Sequence, residues 1–408
     1  MAIPRIFVLA IILTAIQSSL CTFIPTTEAS PPSLRQTAAS NISACRISAP
    51  RGVYLSLGFS YTEIPCAPST GTLRAFMFFV DFSDAPAPSS ETPQQLYDFF
   101  LPAANEWYKT SSYGRLTLNV TADMTRFARM PARSDSYNWN RGLTSATHRT
   151  YILDAIDAYA RVATVPTGYD VLYIVPTTKA TAISFSPTYM DSVEQRGSRT
   201  AKQVAGKVVT IGLDAYQTWK SKVINHETGH TMCLPDLYPV TGATGLYIGG
   251  WDMMGYINGP SPDYFAWSKW RLGWIDDAQV ECVADGKGSS VHVLSALESN
   301  DEDIKAVVVR HNATTVLVAE ARTKLGVDDA ACATGVLLYT VSMATETGRG
   351  PVRVLDVNPS GNGCAGDKLN DAPLSLAGTS SFTVPGWGVK VTLTAQSGNR
   401  FTIQVDVS

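Results

Sequence analysis

The residues best suited to chemistry concentrate in one short stretch, Asn225-His226-Glu227-Thr228-Gly229-His230. On an α-helix, positions i and i+4 share a face, so the imidazoles of His226 and His230 can grip one tetrahedral Zn2+. Glu227 projects beside them, where a carboxylate can take the proton of a water activated by the ion. Histidine is scarce here, and two of only five make the match. The competing reading is a pair of solvent-facing histidines on an ordinary helix.

Catalytic zinc takes three protein ligands and keeps a fourth position for water. Residues 231–280 contain neither histidine nor glutamate, which leaves Asp236, Asp252, Asp263, Asp276, Asp277 and Cys233 as candidates. Asp236 stands ten residues after His226, just past the expected helix end, where the chain can turn back to the metal. It is the preferred third ligand. Cys233, three residues after His230, is the alternative as a thiolate; disulfide pairing and a free packed thiol compete for the same residue.

Such a pair needs a helix held by a sheet. Residues 215–223 contain neither proline nor glycine and can lead into the helix, with Pro235 as its stop. Upstream, Ala75-Phe76-Met77-Phe78-Phe79-Val80 is an apolar run of strand length. Thr92, Pro93 and Gln95 supply an N-cap, a first-turn proline and a capping-box partner, predicting a helix towards Tyr108 bent at Pro102. Residues 115–121 alternate as a strand. Ile152, Ala155, Ile156 and Tyr159 form one helical stripe behind a Ser145 or Thr147 cap, and 170–175 and 208–211 read as buried strands. Alternating helices and strands imply a mixed α/β (α+β) catalytic domain over residues 71–277. Beyond it, short runs at 304–309, 315–319, 335–341, 389–393 and 401–407 recur between Gly, Asn and Pro turns. They predict an all-β sandwich domain over residues 278–408.

The zinc stretch, continued by Leu234-Pro235-Asp236-Leu237-Tyr238, resembles the immune inhibitor A-like secreted metallopeptidases, a metzincin-type group. Gly250-Trp251-Asp252-Met253-Met254-Gly255 is similar to the family's methionine turn, which implies Met254, with Met253 second, beneath the metal. Ala266-Trp267-Ser268-Lys269 and Leu272-Gly273-Trp274 fit the close of the catalytic domain. Phe79-Val80-Asp81-Phe82-Ser83-Asp84 and Ser112-Tyr113-Gly114-Arg115-Leu116 fit upstream. Glu320-Ala321-Arg322 and Gly335-Val336-Leu337-Leu338-Tyr339 are similar to its β domain. The resemblance implies a metzincin-like fold and a zinc endopeptidase acting on proteins or peptides. By likeness to metzincins, the hydroxyl of Tyr256 would stabilise an oxyanion; a structural tyrosine is the equal alternative. One departure stands out: the family usually has glycine where this chain has Cys233, and a non-glycine residue in the left-handed region costs about 1–2 kcal/mol.

The N-terminus reads as a signal peptide, residues 1–22. Arg5 precedes an apolar run over 6–16 that is short for a bilayer span, with Cys21 a cleavage point. A short membrane anchor is the alternative. Leu20 before Cys21 does not suit a lipoprotein site. No later apolar stretch has spanning length, so no membrane attachment is expected after signal removal. The net charge of −3 offers no basic surface for nucleic acid. Charged residues at 16%, against about 25% in average soluble proteins, with aromatics at 10%, favour a packed globular chain, taken as a monomer.

Loss of Cys21 leaves six cysteines, an even number suited to an oxidising, extracellular compartment. Cys45–Cys66 and Cys332–Cys364 are the nearest local pairs. Residues 23–70, rich in Pro, Ser and Thr, read as a linker or pro-segment, in which Cys45 could cap the zinc, pairing with Cys66 being preferred. Acceptor triplets begin at Asn41, Asn119 and Asn312, as in a secreted glycoprotein. Asp356, Asn358, Ser360 and Asp367 have calcium-loop offsets around Gly361. Pro359 and Cys364 interrupt them, so a solvated loop is preferred and Ca2+ is a secondary expectation. His148, His292 and His311 read as ordinary residues, and no Gly-x-Ser-x-Gly elbow supports a serine hydrolase.

Overall fold

In a computed structural model describing residues 41–197, 202–284 and 287–408, the apolar run 75–80 forms the middle of β1 (Gly71–Asp81). The expected signal peptide, with Cys21, and the first part of the 23–70 segment lie outside the described residues. Because strand side chains alternate, Leu73, Ala75, Met77 and Phe79 enter one core, and Phe76, Phe78 and Val80 enter another. β1 pairs in parallel with β2 (Leu116–Arg129) and β3 (Tyr169–Pro176). The sheet is completed by β4 (Thr188–Tyr189), β5 (Val193–Glu194) and β6 (Gln203–Thr210). The order is β2-β1-β3-β6-β4; β3 and β6 are parallel, whereas β4 and β5 run antiparallel to β6.

Helices cover both faces. α1 (Pro93–Phe100) is capped by Thr92 and Gln95 in the expected capping box. A separate α2 (Ala103–Ser111) follows where one bent helix was expected, because Pro102 has no N–H with which to continue the first. α3 (Ser145–Ala160) lies on the opposite face, capped by Thr144, whose hydroxyl accepts the Thr147 amide. α4 (Lys222–Thr231) carries the zinc-type motif on the α1–α2 face, and α5 (Ala266–Leu272) follows the methionine segment. α4 is shorter than expected. A wide turn over Ala215–Trp219 ends at Lys220, with φ 54°, and a left-handed Cys233, φ 64°, follows the helix, two residues before Pro235.

The described second half is β strands joined by turns and short 3-10 segments such as Gly326–Asp328 and Lys368–Asp371. β7 (Val280–Val283), β8 (Gly288–Ser295), β9 (Ala306–Arg310), β10 (Thr315–Arg322), β11 (Gly335–Ser342) and β12 (Val352–Val354) come first. β13 (Ser381–Val384), β14 (Val389–Ser397) and β15 (Arg400–Val407) follow. They form two sheets, β12-β11-β10-β9-β7 and β13-β14-β15-β8, whose inner faces share one apolar core. The first of these sheets has no solvent face. Leu317, Ala319 and Leu338 face its partner sheet, whereas Val316, Val318, Leu337 and Tyr339 belong to the core of the α/β half. The boundary at 277/278 is thus a change of secondary structure, not a division between cores.

Residues 41–70 differ from expectation. They are packed into the body of the protein and do not run free as a linker. Cys45, Ile47, Leu57, Phe59 and Ala67 are buried in the common core, Trp267 Nε1 donates to Leu57 O at 2.9 Å, and Ala67 N donates to Thr231 O at 2.8 Å. Spacing misleads here because the apolar residues fill gaps between other elements and so have no period of their own. The disulfides are Cys45–Cys282, Cys66–Cys233 and Cys332–Cys364. Only the last is one of the nearest local pairs, and Cys45 is not available to cap a metal.

Candidate metal centre and cleft

α4 is fixed from below before it presents anything to the cleft. Its Asn225 carbonyl accepts hydrogen bonds from Tyr108 (2.6 Å) and Tyr264 (3.2 Å), and the Asn225 amide donates to Ala104 O. Thr228 bonds the Tyr173 hydroxyl from β3 at 2.6 Å. Gly229 faces Met254 so closely that an added Cβ would stand 2.6 Å from its Sδ and 2.6 Å from the Tyr264 hydroxyl. Met254 therefore packs directly against the turn between the two histidines.

His226 and His230 present their rings 4.8 Å apart and nearly perpendicular. His226 Nδ1 lies 3.0 Å from Met253 O, and His230 Nδ1 lies 2.8 Å from Leu234 O. Carbonyls only accept, so each Nδ1 carries hydrogen and each Nε2 is turned inward as a ligand atom. Asp236 Oδ1 meets them at 3.3 Å from His226 and 3.1 Å from His230. That oxygen is buried, yet no hydrogen bond of proper geometry reaches it. The three atoms point at a shared space more than at each other. Ligand atoms about 2.0–2.1 Å from a tetrahedral zinc stand about 3.3 Å apart, so these separations fit that ion. Burial disfavours charge on His230, but the Asp236 carboxylate outweighs it and lifts the imidazole pKa to about 9. Asp236 is held far below the usual carboxylate range, its burial overcome by the two imidazoles.

Glu227 stands one step further out, its Oε1 4.0 Å from His226 Nε2. Thr188 on β4 donates to its Oε2 at 2.7 Å and also lies 2.9 Å from its carbonyl oxygen. Burial pushes the Glu227 pKa above the ordinary value. A carboxyl beside the triangle, but not part of it, suits a base better than a ligand. His226, Glu227 and His230 offer ligand atoms all within 4.8 Å of one another, and Asp236 Oδ1 joins the two imidazoles from beyond the helix end.

One loop holds both backbone groups of Asp236. Its N–H donates to Thr347 Oγ1 at 2.8 Å, and its carbonyl accepts Gly348 N at 2.9 Å, both from the β11–β12 connection. Cys233, at the left-handed position after α4, is tied to Cys66 and so is not a ligand. The methionine segment is closed by Asp252, which accepts Met254 N at 2.7 Å and Phe265 N at 2.8 Å. Arg322 of β10, fully buried, donates to Trp251 O at 2.5 Å, Asp263 O at 3.1 Å and Glu320 Oε1 at 2.7 Å, and also pairs with Asp328. Lys269 pairs with Asp263 at 2.5 Å. Two cations thus face four acidic groups, Asp263, Glu298, Glu320 and Asp328, and burial raises the pKa of Asp328 and Glu298. The Glu320-Ala321-Arg322 motif is a strut beneath the methionine turn.

The cleft over Glu227, His230 and Asp236 has a volume of about 230 Å3 and is walled by Tyr54, Phe185, Pro187, Met190 and Tyr238, with Thr347 at its margin. Tyr256 is half-buried on the turn after Met254 and is not among the residues lining this cleft. Tyr238 does line it, its ring stacked on that of His226 with centroids 6.2 Å apart. Tyr238 stands two residues after Asp236, in the stretch that carried the resemblance; Thr188 and Thr347 lie 39 and 111 residues from their partners and leave no local signal. In the segment with calcium-loop offsets the polar side chains serve local turns. Asp356 and Asp367 accept the amides of Asn358 and Leu369, and Asn358 Oδ1 accepts Thr379 Oγ1. No protein-family model matches the chain, and no curated protein matches it significantly.

Proposed function

We propose that the protein is a zinc-dependent endopeptidase, with His226, His230 and Asp236 holding the ion and Glu227 as general base. The observation that carries this reading is the buried, unpartnered Asp236 Oδ1, 3.1–3.3 Å from two inward-turned imidazole nitrogens. Zn2+ bound there would supply Lewis acidity, acidifying a water and polarising a peptide carbonyl. Glu227, kept basic by its raised pKa and oriented by Thr188, takes the water's proton and returns it to the leaving amine. Tyr238 is the hydroxyl at hand for the developing oxyanion. Met253 O and Leu234 O fix the histidine tautomers throughout. The resemblance to immune inhibitor A-like peptidases points the same way.

A secreted monomer fits this reading. Three disulfides join the described cysteines, the described residues contain no helix long and apolar enough to cross a membrane, and Asn41, Asn119 and Asn312 are exposed. The second reading is a catalytically impaired binding protein that keeps the peptidase fold; the position of Asp236 Oδ1, 3.1–3.3 Å from both imidazoles, favours the first. The test is metal analysis combined with casein digestion. Zinc near one per chain and digestion abolished by a chelator are expected. Glu227→Gln should retain zinc and lose about 10²–10⁴-fold in turnover; a fully active Glu227→Gln protein would refute the mechanism.

A further inference from the structure

The cleft around Glu227 contains a single lysine or arginine among its lining residues, Arg141. It sits on the turn before α3, where Gly142 N and Leu143 N both return to Asn140 at 2.8 Å. Its guanidinium lies 4.7 Å over the ring of Phe185. That ring is itself fixed: Trp139 packs against it at 5.9 Å and donates its Nε1 to Phe185 O at 2.8 Å. The stacking orients a planar cation without using its hydrogen-bonding edge. No carboxylate among the described residues reaches Arg141 to form an ion pair.

Arg141 is exposed to solvent, and although the Asp214 carboxyl feels its charge, the acidic groups nearby have hydrogen-bond partners of their own. Asp214 accepts Ser186 Oγ at 2.8 Å and Ser186 N at 3.2 Å, Glu227 accepts Thr188, and Asp236 faces the imidazoles. Asp191 lines the adjoining cavity, which Arg141 also borders, but not the one over Glu227. Phe185, Pro187 and Met190 supply an apolar wall beside the cation. An anchored guanidinium with free donors, next to apolar surface, is complementary to a side chain with a short methylene stem and a carboxylate tip.

Building on the peptidase reading, we infer that Arg141 makes the cleft selective for peptides with aspartate or glutamate beside the scissile bond. The contact is a charge-assisted hydrogen bond formed by substrate alone, so it sets preference and leaves the metal centre as it is. The shared chemistry is a carboxylate, which a free C-terminus would also offer.

The experiment uses N-acetylated, C-terminally amidated peptides that differ only in Glu, Gln or Lys at each position flanking the cleaved bond, with free-acid versions of the Gln series. Glu should exceed Gln by about tenfold in kcat/KM at one position, the lower end of what a charge-assisted hydrogen bond supplies. Arg141→Ala should level the two, Arg141→Lys should keep part of the preference, and Arg141→Glu should turn it towards Lys. Equal cleavage of Glu and Gln peptides by the native protein overturns the inference while sparing the peptidase reading, as does a preference that survives in Arg141→Ala. An advantage confined to free-acid peptides also overturns it, assigning Arg141 to a chain terminus. Failure to cleave any peptide sinks the peptidase reading instead. Binding of the same amidated peptides to the zinc-loaded Glu227→Gln protein then decides: tighter binding of Glu than Gln upholds carboxylate selection, and equal binding ends it.

Discussion

Asp252 performs two tasks with one buried carboxyl, taking the amide of Met254 on one oxygen and that of Phe265 on the other. Burial pushes its pKa up to about 7. A carboxyl whose folded pKa exceeds its unfolded value stabilises the fold fully below the unfolded pKa, and that contribution is lost as pH rises through the folded one. From about pH 4 to about pH 8 the native protein should therefore lose up to about 4 kcal/mol relative to Asp252→Asn, which cannot titrate. Urea midpoints across that range measure it, and a constant gap would mean that the carboxyl is already ionised at the acid end. Residues with a local chemical signature are the ones the sequence reveals: His226, Glu227, His230 and Asp236 meet as their spacing suggests. Met254 lies where the resemblance implies. Tyr256 donates its amide to the Asp252 carbonyl and is not among the residues lining the cleft over Glu227, whereas Tyr238 is.

Elements are legible where their reason is local and hidden where it is distant. The capping box of α1, the stripe of α3 and the apolar run of β1 follow from a few adjacent residues. The left-handed residue after α4, Cys233, is tied to Cys66, 167 positions away, a pairing that no spacing announces. The β11–β12 connection is the clearest instance, since its Thr347 and Gly348 hold both backbone groups of Asp236 from the far half of the chain. Thr347→Val keeps the volume and removes the acceptor. Partners that orient a metal ligand are typically worth 10–100-fold in affinity, and Asp236 is partly exposed, so water can replace some of the loss. A weakening of zinc binding by about tenfold is expected, read by competition with a chelating dye. An unchanged dissociation constant would reduce the loop to packing.

At the scale of the whole molecule, the segment 41–70 before β1 is built into the fold. Two of the three disulfides start in it, at Cys45 and Cys66, and its apolar residues fill the common core. N-terminal sequencing of secreted material should therefore find the first residue upstream of Cys45; a mature start after residue 70 would contradict the packing described. The sandwich is legible as β-rich because its turns recur, but nothing in a strand's alternation tells which face meets water and which meets another core. For β10 and β11 neither does. A layer roofed on each side cannot be inherited as a loose module. Cut after residue 277, the leading part would expose the apolar side chains that shelter it and the trailing part would strand Arg322 and its acids in solvent. Fusion, swapping or trimming at that point should yield aggregates in place of intact halves.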